Sequence, residues 1–287
     1  MFHTPFVIDT KHLKLHKSKK YQTERIIMIV FIFFSKILFI FDPKIKIFYL
    51  TNKHLNFMKI KNLLANFVSL LYPKLCVVCG EPLVENEKFF CFACYLRLPR
   101  TNYHLMHENQ AIERLAGKIS LEKASSYFYY NKGGIAQKLI AEIKYRGNQQ
   151  LGEWMGSHLA KDMISSGFFQ GIDYMVPVPL HRSKEKKRGF NQAEKIAAGI
   201  SQVTKIPIET ANVFRAKANT TQTRKGLFDR WKNTLNLFQL NNPALFKEKH
   251  VLIIDDVLTT GSTVESVAQS LLKSPGIKIS LLTLAIT

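Results

Sequence analysis

Apolar positions in the central and C-terminal parts of the chain alternate between helical and strand-like spacing. Helical spacing predicts helices at residues 135–143, 151–165, 191–203 and 264–272, and apolar runs predict strands at residues 125–130, 174–179, 251–254 and 277–286. Strands and helices in alternation predict an α/β domain with a mostly parallel sheet flanked by helices. Ligands of such sheets bind beyond the carboxyl ends of the strands, so we expect the functional residues there.

The first 57 residues follow another pattern, crowded with Ile, Phe and Lys and without glycine. Their apolar run at residues 26–41 contains Lys36 and is shorter than the roughly 20 residues that cross a bilayer. Polar residues precede the run and no small-residue cleavage site follows it, which argues against a signal peptide. A single anchor helix stays open as the disfavoured alternative. Since a helical pattern opens at Met58, we interpret residues 1–57 as a spurious or disordered extension.

All four cysteines occur in one short segment as two C-x-x-C pairs, Cys76 with Cys79 and Cys91 with Cys94. Each pair offers two thiolates from one tight turn, and together they supply the four sulfur ligands that zinc prefers. The alternatives are two disulfides or a redox pair, and a reducing cytosol favours metal over both. A complete sulfur shell leaves no position for substrate, so the predicted role is structural. We expect a helix and this four-cysteine zinc-ribbon module within residues 58–105.

The most informative segment is residues 251–263, V-L-I-I-D-D-V-L-T-T-G-S-T. A buried strand is predicted to end in Asp255 and Asp256, followed by a hydroxyl-rich loop around Gly261 and then a helix. Carboxylates there can accept hydrogen bonds from ribose hydroxyls, and loop amides at a helix N-terminus can bind a phosphate. The simpler alternatives are a capping box at Ser262 and a turn role for Asp256. Each alternative explains one residue but not the ordered combination.

These thirteen residues match the signature with which type I phosphoribosyltransferases bind 5-phosphoribosyl 1-pyrophosphate (PRPP). Within that superfamily the chain resembles the ComF family, the competence protein F or amidophosphoribosyltransferase-like group. The resemblance covers about residues 58–287 and implies a phosphoribosyltransferase-like domain at residues 120–287. It rests on ordered motifs: the two cysteine pairs, K-Y-R-G at 144–147, V-P-V-P-L-H at 176–181, R-G-F-N-Q at 188–192, Q-T at 222–223, R-W-K-N at 230–233 and D-D-V-L-T-T-G at 255–261.

The resemblance implies a role for individual residues of these motifs. Asp255 and Asp256 would hold the ribose hydroxyls of PRPP. Its 5′-phosphate would be held by Thr259, Thr260, Gly261, Ser262 and Thr263. The pyrophosphate, with Mg²⁺, would face the loop at residues 179–191, whose lysines and arginines suit that charge. The candidates in that loop are Lys187 and Arg188, with Arg146 as a weaker one, and the alternative for individual lysines is a solvated or nucleic-acid-binding surface.

The formal net charge of +20 indicates an anionic partner: phosphate, nucleic acid or anionic lipid. We therefore expect a cytoplasmic, ComF-type protein that binds PRPP or transfers its 5-phosphoribosyl group to an amine or nucleobase, with Mg²⁺ and structural Zn²⁺. The resemblance also implies a link to DNA uptake and the competence machinery. The alternative is a non-catalytic single-stranded-DNA-binding factor that keeps the PRPP fold. Because type I folds often dimerise, a homodimer is a further expectation.

Overall fold

A computed structural model of the chain describes residues 72–215 and 237–287. The extension at residues 1–57, the helix predicted after Met58 and the motifs at 222–223 and 230–233 lie outside the described residues. The described residues from Lys74 onward belong to one compact unit. Within the described ranges, no helix is both long enough and apolar enough to cross a membrane.

Four parallel strands form the central sheet, in the order β1-β6-β5-β2. A separate antiparallel pair joins β3 and β4. The α/β prediction is therefore confirmed, and the carboxyl ends of all four parallel strands meet at one edge of the sheet. The strand bounds are β1 (Lys123–Tyr129), β2 (Tyr174–Pro177), β3 (Val213–Arg215), β4 (Phe238–Leu240), β5 (His250–Leu258) and β6 (Lys278–Ile286).

Helices cover both faces of the sheet. The central strand β5 shows this: Leu252 and Ile254 lie in a core cluster with residues of α3, α4 and α6, whereas Val251 and Ile253 lie in a second cluster with α7. Burial on both faces explains its unbroken apolar run. The helix bounds are α1 (Phe92–Leu96), α2 (Gln110–Glu113), α3 (Ile135–Tyr145), α4 (Gln149–Met163), α5 (Arg182–Arg188), α6 (Gln192–Thr204) and α7 (Ser262–Leu271), with 3-10 turns at Tyr103–Leu105, Ile164–Ser166 and Pro243–Phe246.

Helices α4 and α6 cross with their backbones in contact. A Cβ atom added at Gly199 would lie 1.9 Å from the carbonyl oxygen of Glu153, and one added at Gly156 would lie 2.0 Å from that of Ile196. Real Cβ contacts are never this short, so only glycine fits at either position. The crossing fixes α6, whose first turn follows the basic segment at residues 179–191.

The end of β5 differs from the prediction. The strand does not end at the acidic pair, as predicted, but continues to Leu258. Its last residues stay paired with β6, Val257 with Ala285 and Leu258 with Ile286, and Leu258 is buried. Asp255 and Asp256 therefore lie within the strand, where the backbone pairing holds them in place.

The basic segment at residues 179–191 also differs from the prediction, because it contains helix α5 and is not all loop. His181 is the N-cap, and its Nδ1 accepts a hydrogen bond from the Ser183 amide at 3.2 Å. Gly189 ends the helix with φ at 81°, a left-handed conformation that glycine adopts without strain. The basic side chains are thus arranged on a helix beside the carboxyl end of β2.

Candidate functional site

The loop after β5 turns into α7 at Gly261. Gly261 is the N-cap of α7 with φ at 81°, and a Cβ there would lie 2.6 Å from Cδ2 of Leu115. Ser262 is the first residue of the helix and not its N-cap, so the capping-box alternative is not what the structure shows. The first-turn amides of a helix have no partner within the helix and attract anions. The predicted phosphate-binding residues, 259–263, are therefore together at this turn.

Asp256 is buried, with 6% of its surface exposed. Its Oδ1 lies 2.8 Å from Nζ of Lys144, which belongs to the last turn of α3. Its Oδ2 is buried and has no hydrogen-bond partner within residues 72–215 and 237–287. A buried carboxylate oxygen without a protein donor is costly, and a ligand hydroxyl would satisfy it.

Asp255 carries a strongly shifted pKa. Burial, and next the charge of Asp256, raise the pKa of Asp255 to about 7, although the Asp256 amide and Lys144 act in the opposite direction. The Asp256 amide donates to Oδ1 of Asp255 at 2.8 Å. Near neutral pH the pair therefore carries less than two full negative charges, which reduces its repulsion of a phosphorylated ligand.

The K-Y-R-G segment connects the acidic pair with helix α5. While Lys144 pairs with Asp256, the next residue, Tyr145, has its ring centroid 5.6 Å from Cζ of Arg188. Arg188 also donates to Oε1 of Gln192 at 2.8 Å. Lys144 thus contacts the acidic pair, while its neighbour Tyr145 contacts the R-G-F-N-Q motif. The sequence contained the motif, but only the contacts identify Lys144 as a site residue.

The other predicted basic residues are more exposed. Arg146 pairs with Glu142 of its own helix at 2.8 Å, and 77% of its side chain is exposed. Lys187 is exposed on α5, whereas Arg188 is only partly exposed. The structure therefore brings Arg188 close to the K-Y-R-G segment and directs Arg146 toward the solvent.

A cavity of about 470 Å³ lies between α5, the start of α6 and the β3–β4 pair. Its charged lining consists of Arg182, Arg215, Glu185 and Glu194. Burial, and then the charge of Glu185, raise the pKa of Glu194, although a hydrogen bond from Asn191 lowers it. Two guanidinium and two carboxyl groups suit a polar ligand better than an apolar one.

Removing Lys144 is expected to destabilise the fold in a pH-dependent way. The Lys144 charge lowers the pKa of Asp255, so Lys144→Gln should raise the pKa of Asp255 further. Ionisation of Asp255 in the folded protein then requires more free energy. The loss of unfolding free energy should reach about 3 kcal/mol at pH 8, because Asp256 also loses the cation that it pairs with. Toward pH 5 the pair holds a proton and the loss should shrink. Urea unfolding at both pH values tests this, with Lys144→Arg as control, and a pH-independent loss would contradict it.

The four cysteine sulfurs lie within 4.8 Å of one another, and Sγ of Cys79 is 3.7 Å from Sγ of Cys91. Tetrahedral zinc with bonds of about 2.3 Å separates its sulfur ligands by about 3.8 Å, so the cluster fits this metal. Each pair sits on a tight turn, closed by a 2.9 Å bond from Gly80 to Cys76 and another from Tyr95 to Cys91. The cluster can therefore hold a metal ion such as zinc.

The thiols have unequal acidities. Burial, and then hydrogen bonds among the thiols, raise the pKa of Cys94 to about 12. Burial acts in the same direction on Cys76, but backbone hydrogen bonds from Cys79 and Cys91 outweigh it and lower the pKa of Cys76 to about 6. A metal that binds all four thiolates must displace protons, so its affinity falls as the solution becomes acidic.

The four-cysteine module (residues 74–98) packs against α4 through aromatic rings. Phe89 and Phe90 contact Trp154 with ring centroids 5.8 and 5.0 Å apart. Trp154 in turn stacks on His158 at 4.8 Å. Lys138 of α3 donates to the carbonyl of Val78 at 2.8 Å. The module is therefore attached to the helical layer.

Comparison with known proteins agrees with this architecture. The family described as "Phosphoribosyl transferase domain" matches residues 184–285. The DNA utilization protein YhgH of Escherichia coli is 26% identical over 220 residues, 71% of this chain and 93% of that protein. The matched family region contains most of α5, the acidic pair and the phosphate loop.

Two competence proteins are also similar to the chain. Competence protein F of Haemophilus influenzae is 35% identical over 100 residues, 34% of this chain and 44% of that protein. Competence protein ComFC of Bacillus subtilis is 24% identical over 209 residues, 67% of this chain and 81% of that protein. The ordered motifs, the parallel sheet and these relatives together support membership of the ComF family within the phosphoribosyltransferase superfamily.

Proposed function

We propose that the chain binds PRPP at the carboxyl edge of β5. Asp255 and Asp256 accept hydrogen bonds from the ribose hydroxyls, and residues 259–263 bind the 5′-phosphate. The observation that carries this proposal is the buried Oδ2 of Asp256, which has no partner within residues 72–215 and 237–287 and lies directly before a turn suited to phosphate. Vicinal ribose hydroxyls supply the donor that this oxygen lacks.

The proposed chemistry is transfer of the 5-phosphoribosyl group to an amine or a nucleobase. Mg²⁺, held by the oxygens of the pyrophosphate, neutralises the charge of that leaving group when bound. Arg188 and Lys187 on α5 bind the pyrophosphate, and Tyr145 and Gln192 hold the Arg188 guanidinium in place. The protein's contribution is positioning and charge stabilisation, without a covalent protein nucleophile. The four-cysteine cluster binds structural zinc, and we place the protein in the cytoplasm.

Calorimetric titration of Mg²⁺ and PRPP into the zinc-loaded full chain tests the binding site. The double variant Asp255→Asn/Asp256→Asn is expected to bind PRPP at least about 100-fold more weakly, because each hydrogen bond to a charged group contributes ~1.5–3 kcal/mol. Glu85→Gln/Glu108→Gln removes two exposed carboxylates elsewhere and should leave the affinity unchanged. Equal affinity in the Asp255/Asp256 variant and the wild type would refute the site.

A second candidate function is single-stranded DNA binding in the competence machinery. It is favoured by the exposed basic residues of α5, at positions 182, 184, 186 and 187, and by relatives named for DNA utilization and competence. DNA binding through phosphates weakens steeply with salt. If the folded wild type fails to bind PRPP but binds single-stranded DNA in a salt-dependent manner, this second function replaces the first.

A further inference from the structure

Helix α2 and the turn that follows it (residues 110–119, called the brace) contact the phosphate loop from outside the recognised motifs. Nη1 of Arg114 donates to the carbonyl oxygen of Thr259 at 2.6 Å and to Oγ1 of Thr287 at 3.2 Å. Nζ of Lys118 donates to the carbonyl oxygen of Thr260 at 3.2 Å. Two cations from one short segment therefore hold two successive carbonyls of the loop.

Leu115 lies between these two cations in the brace and is fully buried. It occupies the space that a side chain at Gly261 would need, since an added Cβ there would lie 2.6 Å from Cδ2 of Leu115. The brace therefore contacts the loop at three consecutive residues, 259 to 261, by two charged hydrogen bonds and one apolar contact.

The direction of these two carbonyls determines the direction of the next two amides. A trans peptide unit is planar, and its C=O and the following N–H point in opposite directions. Because the Thr259 carbonyl points toward Arg114, the Thr260 amide points away from it. The Gly261 amide likewise points away from Lys118. A cation on the carbonyl also polarises the peptide unit and strengthens its N–H as a donor.

We propose that Arg114 and Lys118 are positioning residues, which aim the Thr260 and Gly261 amides at the phosphate group of a phosphorylated sugar. Neither side chain has to touch the ligand for this effect. The identity of the ligand rests on the proposed function, whereas the orientation of the amides rests on the contacts alone. The competing explanation is that the two bonds merely attach the brace to the sheet.

Titration of ribose 5-phosphate into the full chain separates the two explanations. Arg114→Gln and Lys118→Gln are each expected to weaken its binding about tenfold, because a charge-assisted hydrogen bond is lost. Binding of Mg²⁺-pyrophosphate, which does not use the loop, should stay unchanged. Lys118→Arg should restore the affinity. Lys273→Gln, which removes an equal charge just beyond the far end of α7, should have no effect.

Amide NMR of the ligand-free protein provides a readout that does not depend on the ligand. The ¹⁵N–¹H resonances of Thr260 and Gly261 should shift in Arg114→Gln and Lys118→Gln, but not in Lys273→Gln. Unchanged resonances, or ribose 5-phosphate affinities equal to the wild type, would overturn the proposal. If the wild type binds neither PRPP nor ribose 5-phosphate while the resonances still shift, the proposed function fails and the orientation of the amides by the brace stands.

Discussion

Removal of zinc is expected to unfold the four-cysteine module while the parallel sheet stays folded. Within residues 74–98 the regular structure consists of the five-residue helix α1 and one isolated bridge between Leu75 and Pro82. So little secondary structure cannot hold four thiols together without a metal, and structural zinc contributes ~10–16 kcal/mol in small zinc-binding folds. The core cluster on the α7 face of the sheet contains no residue of the module among the described residues, so the sheet keeps that core when the module unfolds.

Hydrogen exchange before and after chelation measures this effect. Protection should be lost in residues 74–98 and kept in β5. Trp154 packs on Phe89 and Phe90, so its fluorescence should change in a Trp231→Phe background, where it is the only tryptophan. Cys79→Ser removes one expected zinc ligand without leaving a cavity in the core, because Cys79 is exposed. This variant therefore tests the effect of losing a metal ligand alone. Full protection of residues 74–98 in protein shown to be free of zinc would contradict the prediction.

Substituting Gly199 by alanine is expected to destabilise the protein by about 4 kcal/mol or more, an effect of the size seen when a packed core is forced apart. The new Cβ would lie 1.9 Å from the carbonyl oxygen of Glu153 and 2.6 Å from the amide of Ser157. Both atoms belong to the backbone, so no side chain can move aside. The two helices must separate, which opens the core cluster between α4, α6 and the sheet.

Gly152→Ala is the matched control on the same helix α4. A Cβ there would meet only the side chains of Lys195, at 3.1 Å, and Ile143, at 3.6 Å. The better helix propensity of alanine, about 1 kcal/mol, offsets this mild contact, so stability should change by less than about 1 kcal/mol. Chemical unfolding of both variants checks the contrast. Equal stabilities of Gly199→Ala and Gly152→Ala would show that the helices do not cross in this way.

The order of elements was predictable because each kind of burial leaves a periodic signal. The apolar run at residues 251–254 indicated a strand covered on both faces, and the helical faces of α3 and α6 followed the 3.6-residue period. Helix α5 was missed because its residues are polar on every side, so no apolar face marks it. The sequence does contain residues that can begin and end this helix, His181 as the N-cap and Gly189 after the last turn. Such residues predict a helix only weakly when no apolar periodicity lies between them.

The candidate site was predictable only where its residues are adjacent in sequence. Asp255 and the loop form one continuous motif, whereas Lys144 reaches Asp256 from a distant helix. Arg114 and Lys118 left no signal at all, because their partners are backbone carbonyls, which any residue type provides. The contact between α4 and α6 could not be predicted for a related reason. It depends on Gly156 and Gly199, which have no side chain and so add nothing to the apolar pattern.

The brace also bears on how this protein can be divided and recombined. A gene fragment that starts at residue 120 would encode the sheet and the phosphate loop without Leu115, which fills the space beside Gly261. The upstream boundary lies before Asn109, whose side chain accepts a hydrogen bond from the Ala111 amide at 2.9 Å and donates to the carbonyl of Ala124 at 3.0 Å. The smallest gene segment that encodes an intact phosphate loop therefore includes the residues between the two predicted modules. A fusion or a domain exchange has to transfer these residues together with the sheet.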